Sequence, residues 1–419
     1  MEKKRDLIKT MSTRQSAIRD HVAEKYPEQK WRYDAVANYY ETVCQAKEAG
    51  KQLACVNFAT IPELFWAMDV VPISMDSITG MASSSVEGAA NYIDLAEEHF
   101  PDYICTTNKI SIGAMLAGDI PIPDMIVHPS SPCDSALAAY PAMAEHFGIP
   151  YFCIDVPYFR DERGYQFLTD ELRRLVSFLE DRTGRRLDPD RLRQVMEYSN
   201  LAHQYILKIN ELIRSAVPCP IRSMDILLDF NAAQSLAGTP QLVDYVKTRY
   251  ETTRYMVTNK LGGILQERLR LIWIYAMPVF DWSIYRWLEQ KYGAISISSL
   301  NVFDVAPVDD ISSTEKILRG LARKVTTVPM VRECGGPWEY YIDRVKELVK
   351  AYKADAAVFG GHIACKHTWA IAKLIKDRLY DELGISTLTI ELDVFDPRIT
   401  STEDVKAKLD DFLEMLSQK

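Results

Sequence analysis

The sequence predicts an α/β protein: two Rossmann-like parallel-sheet units joined by a helical segment, with an N-terminal helical arm. Three observations predict it. Apolar runs of strand length alternate with helix-period segments over 51–164, and the same alternation returns over 265–419. Between them, 165–264 carries helix-period patterns. Residues 1–50 are polar and helical in pattern. With 419 residues the chain is long enough to build several large cores.

In chain order, Trp31 to Gly50 has apolar positions at helical spacing and stops at a glycine suited to a helix end. Leu53 to Phe58 reads as a strand, Pro62 to Met68 as a helix and Val70 to Ser74 as a second strand. The run Gly80 to Glu98 is rich in small residues and then helical. Met125 to Val127 and Tyr151 to Val156 are further strands. Helices follow at Thr169 to Leu179, Asp188 to Ser215 and Pro240 to Tyr255; Asp188-Pro189 gives the second a capping carboxylate and a first-turn proline. The last unit reads strand Leu269 to Ala276, helix Trp282 to Gly293 and strand Ala294 to Ser298. Helix Tyr340 to Tyr352, strand Ala356 to Phe359, helix Lys366 to Gly384, strand Ser386 to Leu392 and helix Glu403 to Leu416 complete it. The two units share a pattern but no close sequence repeat.

Composition excludes several classes. The chain is 47% hydrophobic and 26% charged, ordinary for a globular protein. Its net charge of −9, with no long basic run, excludes a nucleic-acid face. No apolar stretch reaches membrane-span length; the densest, Leu269 to Phe280, is broken by Arg270 and Pro278. The start Met1-Glu2-Lys3-Lys4-Arg5 has no apolar region of a signal peptide behind it, so a cytoplasmic protein is expected. Eight cysteines in such a chain are packing thiols, catalytic thiols or metal ligands rather than a disulfide framework.

Three cysteines share one local grammar. Cys133 follows the strand Met125 to Val127 and a turn, and opens a helix. Cys365 follows Ala356 to Phe359 and the turn Gly360 to Ala364, and opens the next helix. Cys105 precedes the helical pattern Lys109 to Leu116. A helix N-terminus has unpaired N–H groups and the positive dipole end, which favour a thiolate. Ligands of open α/β sheets bind beyond the carboxyl ends of the strands, so Cys133 and Cys365 are placed to converge between the units. The spacing is not that of compact ferredoxin or zinc-finger ligands. Three thiolates suit an iron–sulfur cluster better than a closed four-ligand zinc site. Buried packing cysteines remain the alternative reading.

The sequence here resembles the 2-hydroxyacyl-CoA dehydratase and benzoyl-CoA reductase family of iron–sulfur subunits. The resemblance lies in Tyr103-Ile-Cys105 with Lys109 and Gly113-Ala-Met; in Pro123-Asp124-Met-Ile running to Cys133; and in Ile149-Pro150 leading to Asp155-Val-Pro-Tyr158. It continues in Tyr352-Lys-Ala-Asp355-Ala running to Cys365, and in Ile390-Glu-Leu-Asp393-Val-Phe-Asp396-Pro-Arg398. It implies a [4Fe–4S] cluster on Cys105, Cys133 and Cys365, with one iron open to substrate or water. It implies a related second subunit in a heterodimer, a homodimer being the alternative, and an ATP-hydrolysing iron–sulfur activator that injects one low-potential electron. The substrate is an acyl-CoA, whose ketyl radical anion loses its 2-hydroxyl to give an enoyl-CoA. Ring reduction of an aromatic acyl-CoA, a double-cubane cluster reductase and a non-catalytic electron-relay subunit are the competing readings. The resemblance implies no contact with nucleic acid or membrane.

Other residues are weighed beside it. Asp76 ends a strand near where the family often has an active-site acid, and Glu63 matches a family-typical position; a turn cap and a first-turn helix carboxylate are the plainer accounts. Asn57 is a candidate donor to a thioester carbonyl. His362, three residues before Cys365, is a candidate acid–base group or a donor to the cluster, and His128 occupies the matching turn before Cys133. Lys366 and His367 sit where the helix dipole disfavours cations, which makes sense if they face a cluster or CoA phosphates. Cys55, Cys153 and Cys334 are candidates for a larger cluster and stay outside the ligand set. Trp273, Trp282 and Trp287 read as core and interface.

Overall fold

The computed structural model describes residues 6–84 and 89–418. Residues 1–5, on which the reading of the amino terminus rests, and 85–88, within the small-residue run, lie outside them.

Eight strands form two sheets. In the first, β1 (Gln52–Val56), β2 (Val70–Ser74), β3 (Met125–Pro129) and β4 (Tyr151–Ile154) lie in the order β2-β1-β3-β4. In the second, β5 (Leu269–Tyr275), β6 (Ala294–Ser298), β7 (Ala356–His362) and β8 (Thr387–Leu392) lie in the order β6-β5-β7-β8. Every pairing is parallel. The central strands are buried along almost their whole length because helices cover both faces. The shared order makes β3 the counterpart of β7. In each sheet the chain reverses direction of travel between the first strand and the third, the position where such sheets leave a crevice.

The arm is a pair of helices, Leu7–Lys25 and Trp31–Gln45, packed on each other and on the first sheet's core. The connecting helices are Glu162–Thr183, Pro189–Ser215, Asp225–Leu236 and Pro240–Thr258. Asp188 caps the second of them, accepting from Asp190 N at 2.9 Å. One hydrophobic cluster runs from Leu53 and Ile126 of the first sheet to Leu271, Trp273 and Phe359 of the second.

Several local expectations change. β7 does not turn at its glycines; it runs through Gly360 and Gly361 to His362, paired with β8 to the end. Glycine is needed there for close approach: a Cβ on Gly360 would lie 2.1 Å from the Ala276 carbonyl oxygen, and one on Gly361 2.2 Å from the Trp369 ring. The helix after Cys365 is interrupted, giving Lys366–Trp369 and Ala372–Leu383. Cys105 opens the helix Thr106–Leu116 from a loop with no strand before it. The helix Thr314–Val325, beyond the expected start of the second unit, packs on the first sheet: Ile317, Leu321 and Val325 join Ala54, Val56 and Val127. The 265–419 segment thus contributes to both cores.

Candidate cysteine site between the two sheets

Cys105, Cys133 and Cys365 each cap a helix N-terminus. Interactions of their neighbours tie the three segments together. Ser135, on the helix Asp134–Phe147 that Cys133 caps, accepts at its hydroxyl from the Cys105 backbone N–H (2.7 Å) and from Asn108 Nδ2 (2.9 Å). Lys366, directly after Cys365, pairs with Asp134, directly after Cys133, at 3.1 Å. The same ammonium sits over the Tyr103 ring, 5.8 Å from its centre, on the Cys105 segment. The expected oddity of Lys366 and His367 at a helix start is resolved by Asp134, which faces both.

His362 joins the cluster of thiols from the end of β7. Its Nε2 lies 3.2 Å from the Cys105 sulfur, across 257 residues of sequence. Its Nδ1 accepts from the Val394 backbone N–H at 3.3 Å, so the proton of the neutral ring sits on Nε2 and points at sulfur. Asp393 holds the joint between sheets: it accepts from Thr106 Oγ1 (2.5 Å) and from the N–H groups of Phe395 and Asp396. Burial pushes the Cys105 thiol up to about 12. Burial first, and then the sulfurs of Cys105 and Cys365, push Cys133 up as well.

A cavity of about 510 Å³ opens on Cys105 and Cys133, within the range of small-molecule sites. Tyr39, Tyr140, Tyr275, Tyr285, Phe58 and Met277 are among its walls, with Asp76, Asn57 and His362. Asp76 is half-buried on this wall. Its Oδ2 accepts from Phe58 N–H at 2.8 Å, yet burial raises its carboxyl to about 6. Three donors on the wall have no partner among the described residues: Gln234 Nε2, Trp282 Nε1 and Arg32 Nε. A buried donor without a partner is costly, so these are open to a ligand's acceptors.

Sequence comparison fits this geometry. Residues 58–416 match the family model described as 2-hydroxyglutaryl-CoA dehydratase, D-component. The chain belongs to this dehydratase family. Among curated relatives, a benzoyl-CoA reductase subunit of Thauera aromatica is 20% identical, over 92% of this chain and 94% of its own. The (R)-phenyllactyl-CoA dehydratase alpha subunit of Clostridium sporogenes is 20% identical, over 76% and 78%. The (R)-2-hydroxyglutaryl-CoA dehydratase alpha subunit of Acidaminococcus fermentans is 19% identical, over 71% and 61%.

The thiols of this dehydratase-family chain fit a cubane cluster better than a single ion. Among the described residues no three His, Cys, Asp or Glu side chains close on one metal ion. Each cysteine on a cubane binds a different iron, so its ligands stand farther apart than those of one ion. Soft sulfur donors match that chemistry.

Glu63 is not brought to this cavity. It is fully buried, ion-paired to Lys324, and accepts from Ser199 Oγ at 2.7 Å. Burial pushes its carboxyl up, but Lys324 and the hydrogen bonds from Ser199 and the backbone together hold it below the usual range. It is a structural tie between the helices Glu63–Ala67, Pro189–Ser215 and Thr314–Val325. His128 lies inside β3 rather than in a turn: Nδ1–H donates to Pro129 O (2.8 Å), Nε2 accepts from the Tyr151 hydroxyl (2.9 Å), and burial lowers it to about 4. Asn57 lines the cavity; its Oδ1 accepts from Ala59 N–H at 3.0 Å, which orients the amide and leaves Nδ2 as its donor. Cys55 is sealed inside β1 and Cys153 lies in β4.

Sequence reasoning missed Tyr275 and kept Cys334 as a candidate outside the ligand set. Tyr275 ends β5 with φ 67°, a left-handed conformation rare outside glycine, and lies within electrostatic reach of Cys365. In the sequence it is one aromatic in an apolar run. Cys334 lies within electrostatic reach of Cys365 and Cys133; the Glu-Cys-Gly-Gly context was its only signal.

Proposed function

We propose that the chain is the iron–sulfur subunit of a 2-hydroxyacyl-CoA dehydratase, with Cys105, Cys133 and Cys365 holding a [4Fe–4S] cluster beside the substrate cavity. The observation that carries this is the linking of the three cysteine segments by Ser135, Lys366 and His362, beside a cavity that Cys105 and Cys133 line. When bound, the cluster would supply one electron at low potential to the thioester; the ketyl radical anion would expel its 2-hydroxyl as hydroxide, lose a β-proton and return the electron, leaving an enoyl-CoA.

The chain's own residues have separate tasks. Asp76, with a carboxyl near 6, takes up a substrate proton at a carboxylate oxygen close to neutral pH. Gln234 Nε2, Trp282 Nε1 and Arg32 Nε donate to the thioester and amide oxygens of the ligand. The tyrosines and Phe58 keep water from the reacting carbon. His362 acts through Cys105, holding its N–H on the ligand sulfur, rather than as an acid or base. The partners are a related second subunit and an ATP-hydrolysing iron–sulfur activator, and the reading places the protein in the cytoplasm with its acyl-CoA substrate. Among the described residues no helix is long and apolar enough to cross a membrane.

A ring-reducing reading, of the benzoyl-CoA reductase type, is the second choice. It is favoured by the aromatic cavity wall and by the coverage of the benzoyl-CoA reductase relative. Anaerobic reconstitution tests the core: about four irons and four sulfides per chain are expected. Absence of iron with the three thiols intact would end both readings. With partner and activator added, enoyl-CoA from a 2-hydroxyacyl-CoA supports the first reading, and a cyclic diene from benzoyl-CoA the second.

A further inference from the structure

We infer that the N-terminal arm recognises the phosphate-bearing tail of the thioester, with Arg14 as its anion contact at the mouth of the cavity. This rests on the acyl-CoA reading proposed above and adds to it the part of the ligand that the reaction leaves untouched.

The arm is part of the cavity wall. Gln15 and Ile18 of the helix Leu7–Lys25, with Arg32, Val36 and Tyr39 of the helix Trp31–Gln45, all line it. The family model begins to match at residue 58, so this wall lies outside what the family pattern describes. The arm is fixed in that place. The buried Tyr39 hydroxyl donates to Pro72 O at 2.8 Å and accepts from Ser74 N–H at 3.3 Å, both in β2. Arg32 Nη1 donates to Asp225 Oδ1 at 2.9 Å, on a connecting helix. Gln15 Nε2 meets the Met81 sulfur at 4.0 Å, on the far side of the same wall.

Exposure locates the mouth. Among the described residues of the wall, Arg14 and Ser283 are the exposed ones. A cavity of about 510 Å³ suits an acyl group and its pantetheine arm. A whole acyl-CoA is larger, so its nucleotide phosphates have to rest at that mouth.

The charge at the mouth is unbalanced. Arginine and aspartate side chains reach the wall at Arg14, Arg32, Asp76 and Asp281. Arg32 is met by Asp225. Asp281 accepts from Ser283 N–H and from the Thr402 hydroxyl, each at 2.8 Å, and Asp76 accepts from Phe58 N–H. Arg14 has no such partner among the described residues. Its neighbours one helical turn away, Thr10, Met11, Ala17 and Ile18, are all uncharged. A guanidinium offers paired donors that match phosphate oxygens. In a chain of net charge −9, a local cation at the entrance offsets the repulsion that a polyanion would otherwise meet.

The test measures Kd by calorimetry for benzoyl-CoA and for S-benzoyl-pantetheine, which lacks every phosphate. Both are titrated into the full chain, anaerobically reconstituted, and into its Arg14→Gln variant. The expected result is benzoyl-CoA binding weakened about fivefold in the variant, a loss that shrinks as salt is raised, and unchanged binding of S-benzoyl-pantetheine. Unchanged binding of the second thioester also shows that the variant keeps its fold. Equal losses on both thioesters would put Arg14 on the acyl or pantetheine portion and overturn the inference, and so would no loss on either. A loss seen with S-glutaryl-pantetheine but not with benzoyl-CoA would mean that Arg14 reads an acyl carboxylate, which also overturns it. A wild type that binds neither benzoyl thioester would remove the acyl-CoA reading itself, a separate failure.

Discussion

At the residue scale, partners across the fold decide what each titratable group does. Folding raises Asp76 from the ordinary carboxyl value to about 6, so the native state holds its proton more tightly. The stability from this group is full below about pH 4 and is lost as pH rises through about 6. Asp76→Asn, which keeps an oxygen for Phe58 N–H, should stabilise the iron-free protein by roughly 2 kcal/mol near pH 8 and have little effect near pH 4. Urea unfolding at the two pH values measures this, and an equal shift at both would refute a raised carboxyl. His362 gives a second prediction. Replacing it with Phe removes the N–H donor on the Cys105 sulfur, so the cluster's reduction potential should fall in an anaerobic redox titration. An unchanged potential would detach His362 from the cluster.

At the element scale, most strands and helices were legible because each needs only local pattern. The apolar runs of β1, β3, β5 and β7 and the capped start at Asp188 are of that kind. The glycines of β7 misled because glycine also signals a turn; here its small size admits the Ala276 carbonyl and the Trp369 ring. Helix packing supplies a test. A Cβ on Gly113 would stand 1.9 Å from the Tyr92 carbonyl oxygen, where the helix Thr106–Leu116 crosses the helix Ala90–Glu97. Gly113→Ala should cost about 1–3 kcal/mol by overpacking and, because Cys105 caps that helix, should lower iron retention. The Glu63–Lys324 pair gives another. Glu63→Gln leaves Lys324 buried without a counter-charge and should cost roughly 3–5 kcal/mol, whereas Glu63→Gln with Lys324→Met should recover much of it. Iron content of whatever folds should be unchanged, since neither residue reaches the cysteine site.

At the scale of the whole molecule, two sheets with their own apolar strands meet through Asp393, His362 and Lys366. Their cores are built of packed apolar side chains, in a buried cluster that runs from Leu53 to Phe359. Chelating the iron should therefore leave far-UV circular dichroism nearly intact while exposing Cys105 and Cys133 to alkylation through the cavity. Collapse of the secondary structure would instead make the metal part of the fold. The cavity wall sets a preference too. Its aromatic and methionine residues should favour acyl-CoA thioesters with bulky apolar acyl groups over dicarboxylic ones, measured as a difference in Kd by calorimetry.

By itself the sequence determined the α/β alternation, the parallel sheets and the cysteines at helix starts, because hydrophobic period, capping and turn chemistry act over a few residues. It also placed Cys133 and Cys365 beyond equivalent strands, since sheet order follows from the alternation. Only the tertiary structure decided which side chains share a space. It set His362 on Cys105 across 257 residues, sent Glu63 to Lys324 and joined Lys366 to Asp134. Those meetings depend on how two sheets dock, and contacts that distant in sequence leave no mark on local pattern.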